Sequence, residues 1–135
     1  MPDSDAPDRL EPVRAYLSAP RCAVLSTIDR GGGPHQAVVH YLVEDDAILV
    51  NGRADRRWAL NLRRDPRVSF VVHDEDESLH WVGVKGAAGL AAEGEAAVAD
   101  AMALARRYGE DPEAYRGLQR VSFRIVPRRV SEYRP

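Results

Sequence analysis

Arg53, Arg56 and Arg57 fall within five consecutive positions of the stretch ILVNGRADRRWALNLRRDPRVSFVV, residues 48–72. Guanidinium groups stay charged and offer planar pairs of N–H donors that match a phosphate or carboxylate. The three stand where an apolar strand end, Ile48, Leu49 and Val50, gives way to a helix over Arg56 to Arg64. That helix stops at Asp65-Pro66, because proline disfavours helix in the residue before it. Asp55 is placed to cap the helix start with its carboxylate. The helix's free amide hydrogens and positive dipole end then coincide with the arginines, which suits an anion and a phosphate above all. The competing reading is a solvated basic helix in which Asp55 neutralises Arg56 or Arg57.

Other chemistry is sparse. Cys22 is the single cysteine, so no internal disulfide forms, and with four scattered histidines it gives no metal-ligand spacing. Ser26 and Ser69 stand at no spacing to a His/Asp pair that would make a nucleophilic triad. No residue is assigned as general acid or base, so the catalytic residues are left unknown. Such a pattern is expected where a cofactor carries the reaction and the protein supplies position and electrostatics.

The elements that must position the arginines follow from pattern. At 135 residues the chain reads as one domain, residues 10–135, behind a flexible tail, residues 1–9. A net charge of −2 argues against a general nucleic-acid binder. No apolar run reaches membrane-spanning length and no charged-then-apolar signal opens the chain, so a soluble cytoplasmic protein is expected, with no membrane partner. Leu10, Val13 and Leu17 recur at helical spacing before Pro20. Residues 22–28 read as a buried strand, and the turn DRGGGP (29–34) leads to strands over 35–43 and 47–50 around Glu44-Asp45-Asp46, a meander of antiparallel neighbours. Beyond the central helix come a strand over 67–73, an acidic turn, and a long strand from about Leu79 to Ala91. Gly83, Gly86 and Gly89 break that strand as bends or bulges would. A helix over Glu93 to Tyr108 turns Ala97, Ala101, Leu104 and Ala105 inward. Asp111-Pro112 restarts a short helix, and the last strand, Val121 to Val126, precedes a basic tail. About six strands with three helices predict a small β-barrel in an α+β domain.

The segments CAVLSTIDRGGGPH, ILVNGRADRRWALNLRRDPRVSFVV, WVGVKGAAGL and VSFRIVPRRVSEY occur in this order. Together they resemble the split β-barrel flavin-binding family related to pyridoxamine 5'-phosphate oxidase, over about residues 10–133. The chain is most similar to the small actinobacterial branch that uses the deazaflavin coenzyme F-420. The resemblance implies a six-stranded antiparallel split β-barrel with flanking helices and an oxidoreductase passing a hydride to an unsaturated small organic substrate. It places the cofactor's phosphate at Asn51, Arg53, Asp55, Arg56 and Arg57, and lays the backbone of Val38, Val39, His40 and Tyr41 along the ring. It further implies a homodimer with cofactor sites in grooves at the interface, where a partner could bring Trp81, with His80, to the substrate. The oxidases of the family carry an arginine and a lysine at positions that here are Ala37 and Leu42, and a Trp-containing tail that VPRRVSEYRP lacks. Pyridoxamine phosphate oxidation is therefore not expected.

Around the proposed site, Trp58 reads as a packing anchor and Asn61 as a brace for the loop. His40 faces either the ring or open sheet surface, and His35 and His73 have no persuasive partner. Two alternatives use the same fold: an enzyme dependent on flavin mononucleotide (FMN), and a non-catalytic protein binding a cofactor, haem or tetrapyrrole. A third is an interaction module whose basic helix meets an acidic protein. Residue order alone does not identify the substrate.

Overall fold

Apolar residues alternate with polar ones through most of the chain, and each alternation buries one face of a strand. The computed structural model describes residues 8–77 and 79–135. A 3-10 turn, Glu11–Val13, runs into a short helix α1, Arg14–Leu17, and Leu10, Val13 and Leu17 are buried as their spacing requires. The strands are β1 (Ala23–Ile28), β2 (Pro34–Val39), β3 (Tyr41–Glu44), β4 (Ala47–Arg53), β5 (Arg67–His73), β6 (Trp81–Glu93) and β7 (Arg120–Tyr133). Helix α2 (Arg57–Arg64) joins β4 to β5, and α3 (Gly94–Arg107) with a 3-10 turn (Pro112–Tyr115) joins β6 to β7.

All pairings are antiparallel, in the order β2-β1-β5-β6-β7-β4-β3. The two edge strands, β2 and β3, are consecutive in the chain and separated by His40 alone, so the sheet curls until one bent segment serves both edges. The family's split barrel is therefore present, with seven strands where six were expected, because His40 interrupts the expected strand 35–43. The expected meander holds for β1-β2 and β3-β4, whereas β4 pairs with β7 instead of its successor. Two turns form as their residues allow. Gly32 takes φ +94° in the 29–34 turn, and Asp45 takes φ +54° between β3 and β4.

Leu25, Tyr41, Ile48, Val50, Val72, Val84, Phe123 and Ile125 fill the barrel, each at most 1% exposed. Burying one such side chain is worth roughly 1.5–3 kcal/mol. Ala97, Ala101, Leu104 and Ala105 form the buried side of α3, as their spacing predicts. Among the described residues no helix is long and apolar enough to cross a membrane.

The end of the chain corrects the sequence reading. The last strand does not stop at Val126; it runs to Tyr133, so the expected basic tail is paired to β6. Pro127 lacks an amide hydrogen, and the ladder accommodates it through a register shift between Lys85 and Gly86. Gly86 meets it there, and a Cβ on Gly86 would lie 2.2 Å from the Val126 carbonyl oxygen. Since backbone cannot swing aside as a side chain can, Gly86→Ala is expected to cost about 1–3 kcal/mol, the range for overpacking. Thermal denaturation would show the loss as a lowered Tm, and an unchanged Tm would contradict this packing.

Candidate functional site

Antiparallel register decides which charges meet at the end of β4. Its pairing with β7 sets Arg53 opposite Arg120 and Asn51 opposite Ser122. Directly opposed like charges destabilise a strand pair, and here they border a cavity of about 250 Å³. Arg53, Arg56 and Arg120 line it together with Val38, Val39 and His40 on one side and Tyr115 and Glu110 on another. Its floor is Gly52 and the indole of Trp58. The indole takes the space that a Cβ on Gly52 would need, at 2.4 Å from Trp58 Cζ2. Trp58 is buried and meets Phe123 edge-on at 6.1 Å, which makes it the anchor its position predicts.

Arg120 is half-buried and firmly held. Its Nε donates to Asn51 Oδ1 at 2.9 Å, and its guanidinium lies 4.9 Å over the Tyr115 ring. Asn51 in turn donates through Nδ2 to the Ala97 carbonyl (2.8 Å) and to Ser122 Oγ (2.9 Å), and Ser122 donates to Asp100 (2.7 Å). Each polar atom in this chain has one assignment, so the network fixes the direction of the Arg120 fork. Burial, relieved in part by the nearby Tyr115, lowers the pKa of Arg120, and the charges of Arg53 and Arg56 push the same way. An anion in the cavity would reverse that repulsion.

The sequence reading needs two corrections here. Asp55 does not cap α2; Arg56 occupies the N-cap position, no side chain caps the helix, and the Asp55 carboxylate accepts from Arg53 Nη2 at 2.9 Å instead. Asp55 is closer in sequence to its own strand-end arginine than to any amide of the first turn, and it lines a neighbouring cavity of about 470 Å³ with Arg53 and Leu118. The amide hydrogens at the start of α2 therefore have no side-chain acceptor. Arg57 does not line the arginine cavity; it is exposed and stands 3.9 Å from Asp29. Tyr41, whose backbone the resemblance lays along the ring, turns its side chain into the core, where its hydroxyl donates to the Leu17 and Ala19 carbonyls. One step of strand periodicity separates it from His40 and turns it inward.

His40 does border the cavity, with its ring stacked on Tyr108 at 3.7 Å and 4°. Tyr108 donates to the Arg21 carbonyl (2.6 Å), and Arg107 donates to the carbonyls of Tyr41, Leu17, Ser18 and Ala19. The end of α3 thus clamps the bend between β2 and β3. Asn61 braces the 29–34 turn by donating to Thr27 Oγ1 and Asp29 Oδ1, each at 3.0 Å. Trp81 lies elsewhere, on the outward side of β6 beside a separate cavity. Among the described residues no group of three or more His, Cys, Asp or Glu side chains gathers to hold a metal ion.

Sequence reasoning missed Arg120, Tyr115, Glu110, Ser122 and Asp100. Arg120 begins the last strand and could have been found from the pairing of β4 with β7, had that pairing been legible.

A family model described as pyridoxamine 5'-phosphate oxidase matches residues 10–134. Among solved structures, a conserved hypothetical protein of Mycobacterium tuberculosis is similar at 31% identity and TM-score 0.76, over 90% of this chain and 82% of that one. An F420 reductase superposes at 20% identity and TM-score 0.76, over 87% and 94% of the two chains. The haem storage protein HutZ of Vibrio cholerae superposes at 22% identity and TM-score 0.73, over 93% and 95%. At those two lower identities the likeness is one of fold. No curated protein matches the sequence.

The buried Tyr41 hydroxyl makes stability depend on pH. Burial first, and the neighbouring Tyr108 second, push its hydroxyl up to about 12 from an unfolded value of 10, against the pull of Arg107. Folding thus favours the protonated phenol, so its contribution is complete below pH 10 and is lost as pH rises from 10 to 12. Urea titrations across that window are expected to show a shallower loss of stability for Tyr41→Phe than for the wild type. Equal slopes would contradict the assignment.

Proposed function

The chain belongs to the pyridoxamine 5'-phosphate oxidase family, and from that premise we propose that it is an oxidoreductase dependent on the deazaflavin coenzyme F-420. In this reading it passes a hydride to an unsaturated small organic substrate. The observation that carries the proposal is the convergence of Arg53, Arg56 and Arg120 on one cavity next to a helix start that no side chain caps. This donor set suits a phosphate, since three guanidinium groups and backbone amides can share its oxygens.

When bound in its reduced form the coenzyme supplies the hydride, which together with one proton saturates the substrate double bond. The chain's own residues hold and orient. Arg53, Arg56 and Arg120 would hold the phosphate, with Asn51 keeping the Arg120 fork aimed. The backbone of Val38, Val39, His40 and Tyr41 would support the ring. His40, pinned flat on Tyr108, is the imidazole at the cavity. Val38 borders the cavity yet is 69% exposed. An apolar residue left bare at a binding site fits the proposed homodimer, in which a second copy would cover that wall.

FMN carries a phosphate too and is the second reading for the same cavity. Titrating purified protein with coenzyme F-420 and FMN in parallel separates the two by dissociation constant. Tight binding without turnover of reduced coenzyme by any acceptor would favour a non-catalytic binder. For the favoured coenzyme, Arg56→Ala and Arg120→Ala should each remove a charge-assisted hydrogen bond of about 1.5–3 kcal/mol and weaken binding at least tenfold. Arg57→Ala should leave it nearly unchanged. Unaltered affinity in the first two variants would remove this cavity from the function.

A further inference from the structure

The wall of the arginine cavity holds a carboxylate as well as cations. Glu110 lines it with Arg53, Arg56 and Arg120, and among the described residues Glu110 forms no ion pair. A carboxylate beside a bound anion repels it, so its placement bears on which anion the cavity accepts.

Local structure fixes where that carboxylate stands. The chain leaves α3 through Gly109, whose φ of +74° suits glycine. The Gly109 amide donates to the Arg106 carbonyl (3.4 Å) and the Glu110 amide to the Ala105 carbonyl (2.8 Å), the paired bonds of a Schellman turn. Asp111 then caps the following 3-10 turn, accepting from the Glu113 amide at 3.0 Å, and that turn carries Tyr115. The Tyr115 hydroxyl donates to Glu110 Oε1 at 2.9 Å, and the Arg120 guanidinium lies 4.9 Å over the same ring. One tyrosine therefore serves both the carboxylate and the cation. Burial is the main influence lowering the pKa of Arg120, and the Glu110 charge acts the other way, as a neighbouring carboxylate does.

The chain's own guanidinium and carboxylate groups here are three against two, the second carboxylate being Asp55 on Arg53 at 2.9 Å. One net positive charge is left, which matches the single negative charge of a phosphodiester. A phosphomonoester carries about two charges at pH 8, because its second pKa is near 6. Repulsion from Glu110 scales with ligand charge, so it weighs twice as heavily on the monoester. We infer that Glu110, held by Tyr115, is a specificity-determining residue that favours a phosphodiester over a terminal phosphate. The inference rests on the reading of this cavity as a phosphate site and deepens it. FMN ends in a monoester, whereas the deazaflavin coenzyme carries its phosphate as a diester. Glu110 is exposed, so solvent screening limits the effect to a few-fold per unit of ligand charge.

The test is calorimetric titration at pH 8 and low salt with phenyl phosphate and methyl phenyl phosphate. The two share an aromatic body and differ by one charge. Both are expected to bind the wild-type protein and to weaken at least tenfold in R120A. Glu110→Gln should strengthen the diester about threefold and the monoester about ninefold, the square, because Coulomb energy is proportional to charge. Glu110→Asp keeps the charge and should keep the wild-type ratio of the two affinities. Glu113→Gln should keep it too, since that carboxylate lies outside the cavity and pairs with Arg116. Equal gains for the two esters, no gain, or the same change in E113Q would overturn the inference. If R120A nonetheless loses both esters, the phosphate site stands and only the role of Glu110 falls. If R120A binds both as the wild type does, or the wild type binds neither, the phosphate reading of the cavity falls as well.

Discussion

Antiparallel pairing leaves no freedom over which side chains face each other, and here it sets arginine against arginine. Arg53 on β4 and Arg120 on β7 are register partners. Opposed cations cost a strand pair a few tenths of a kcal/mol or more. The fold offsets part of this cost locally. Asp55 pairs with Arg53, and Asn51 Oδ1 and the Tyr115 ring receive Arg120. Arg56 adds a third cation at the same cavity, and among the described residues it has no ion-pair partner. The proposed phosphate would bring a counter-charge to these three cations.

The rest of the barrel keeps that opposition in place. Without the β4–β7 ladder Arg120 would not face Arg53, and without α3 the Asn51 amide would lose the Ala97 carbonyl and the link through Ser122 to Asp100. Trp58 on α2 fills the space above Gly52 and so sets how closely the helix start approaches the strand end. Arg107 and Tyr108 at the far end of α3 fix the bend at His40 that brings the β2 side to the cavity. Packing, polar network and sheet closure thus act on one small volume.

Local features were legible in the sequence, whereas features that depend on distant pairing were not. The buried face of α3 followed from alanine spacing, the 29–34 turn from its glycines, and the Asp65-Pro66 stop from proline sterics. Arg53, Arg56 and Asn51 were visible because they lie in one continuous stretch beside a helix start. Arg120 was hidden because it reaches the same cavity only through a ladder with a strand nearly seventy residues earlier in the chain. Asp55 misled because a carboxylate before a helix looks like a cap, while a guanidinium two residues away competes for it. Tyr41 keeps the alternation of β2 across His40 and faces the core as Val39 does, which leaves its backbone as its link to the proposed site. The tail after Val126 looked unpaired because Pro127 discourages strand, until a register shift opposite Gly86 accommodates it.

The central claim is that the Arg53, Arg56 and Arg120 cavity is an anion site aimed by the Asn51 network. The most direct measurement is the side-chain Nε–H resonance of Arg120 in a proton–nitrogen correlation spectrum during titration with inorganic phosphate, with chloride at equal ionic strength as control. A saturable shift of that resonance with phosphate and not with chloride is the predicted result. A resonance that stays in place, or moves equally with both salts, would contradict the account.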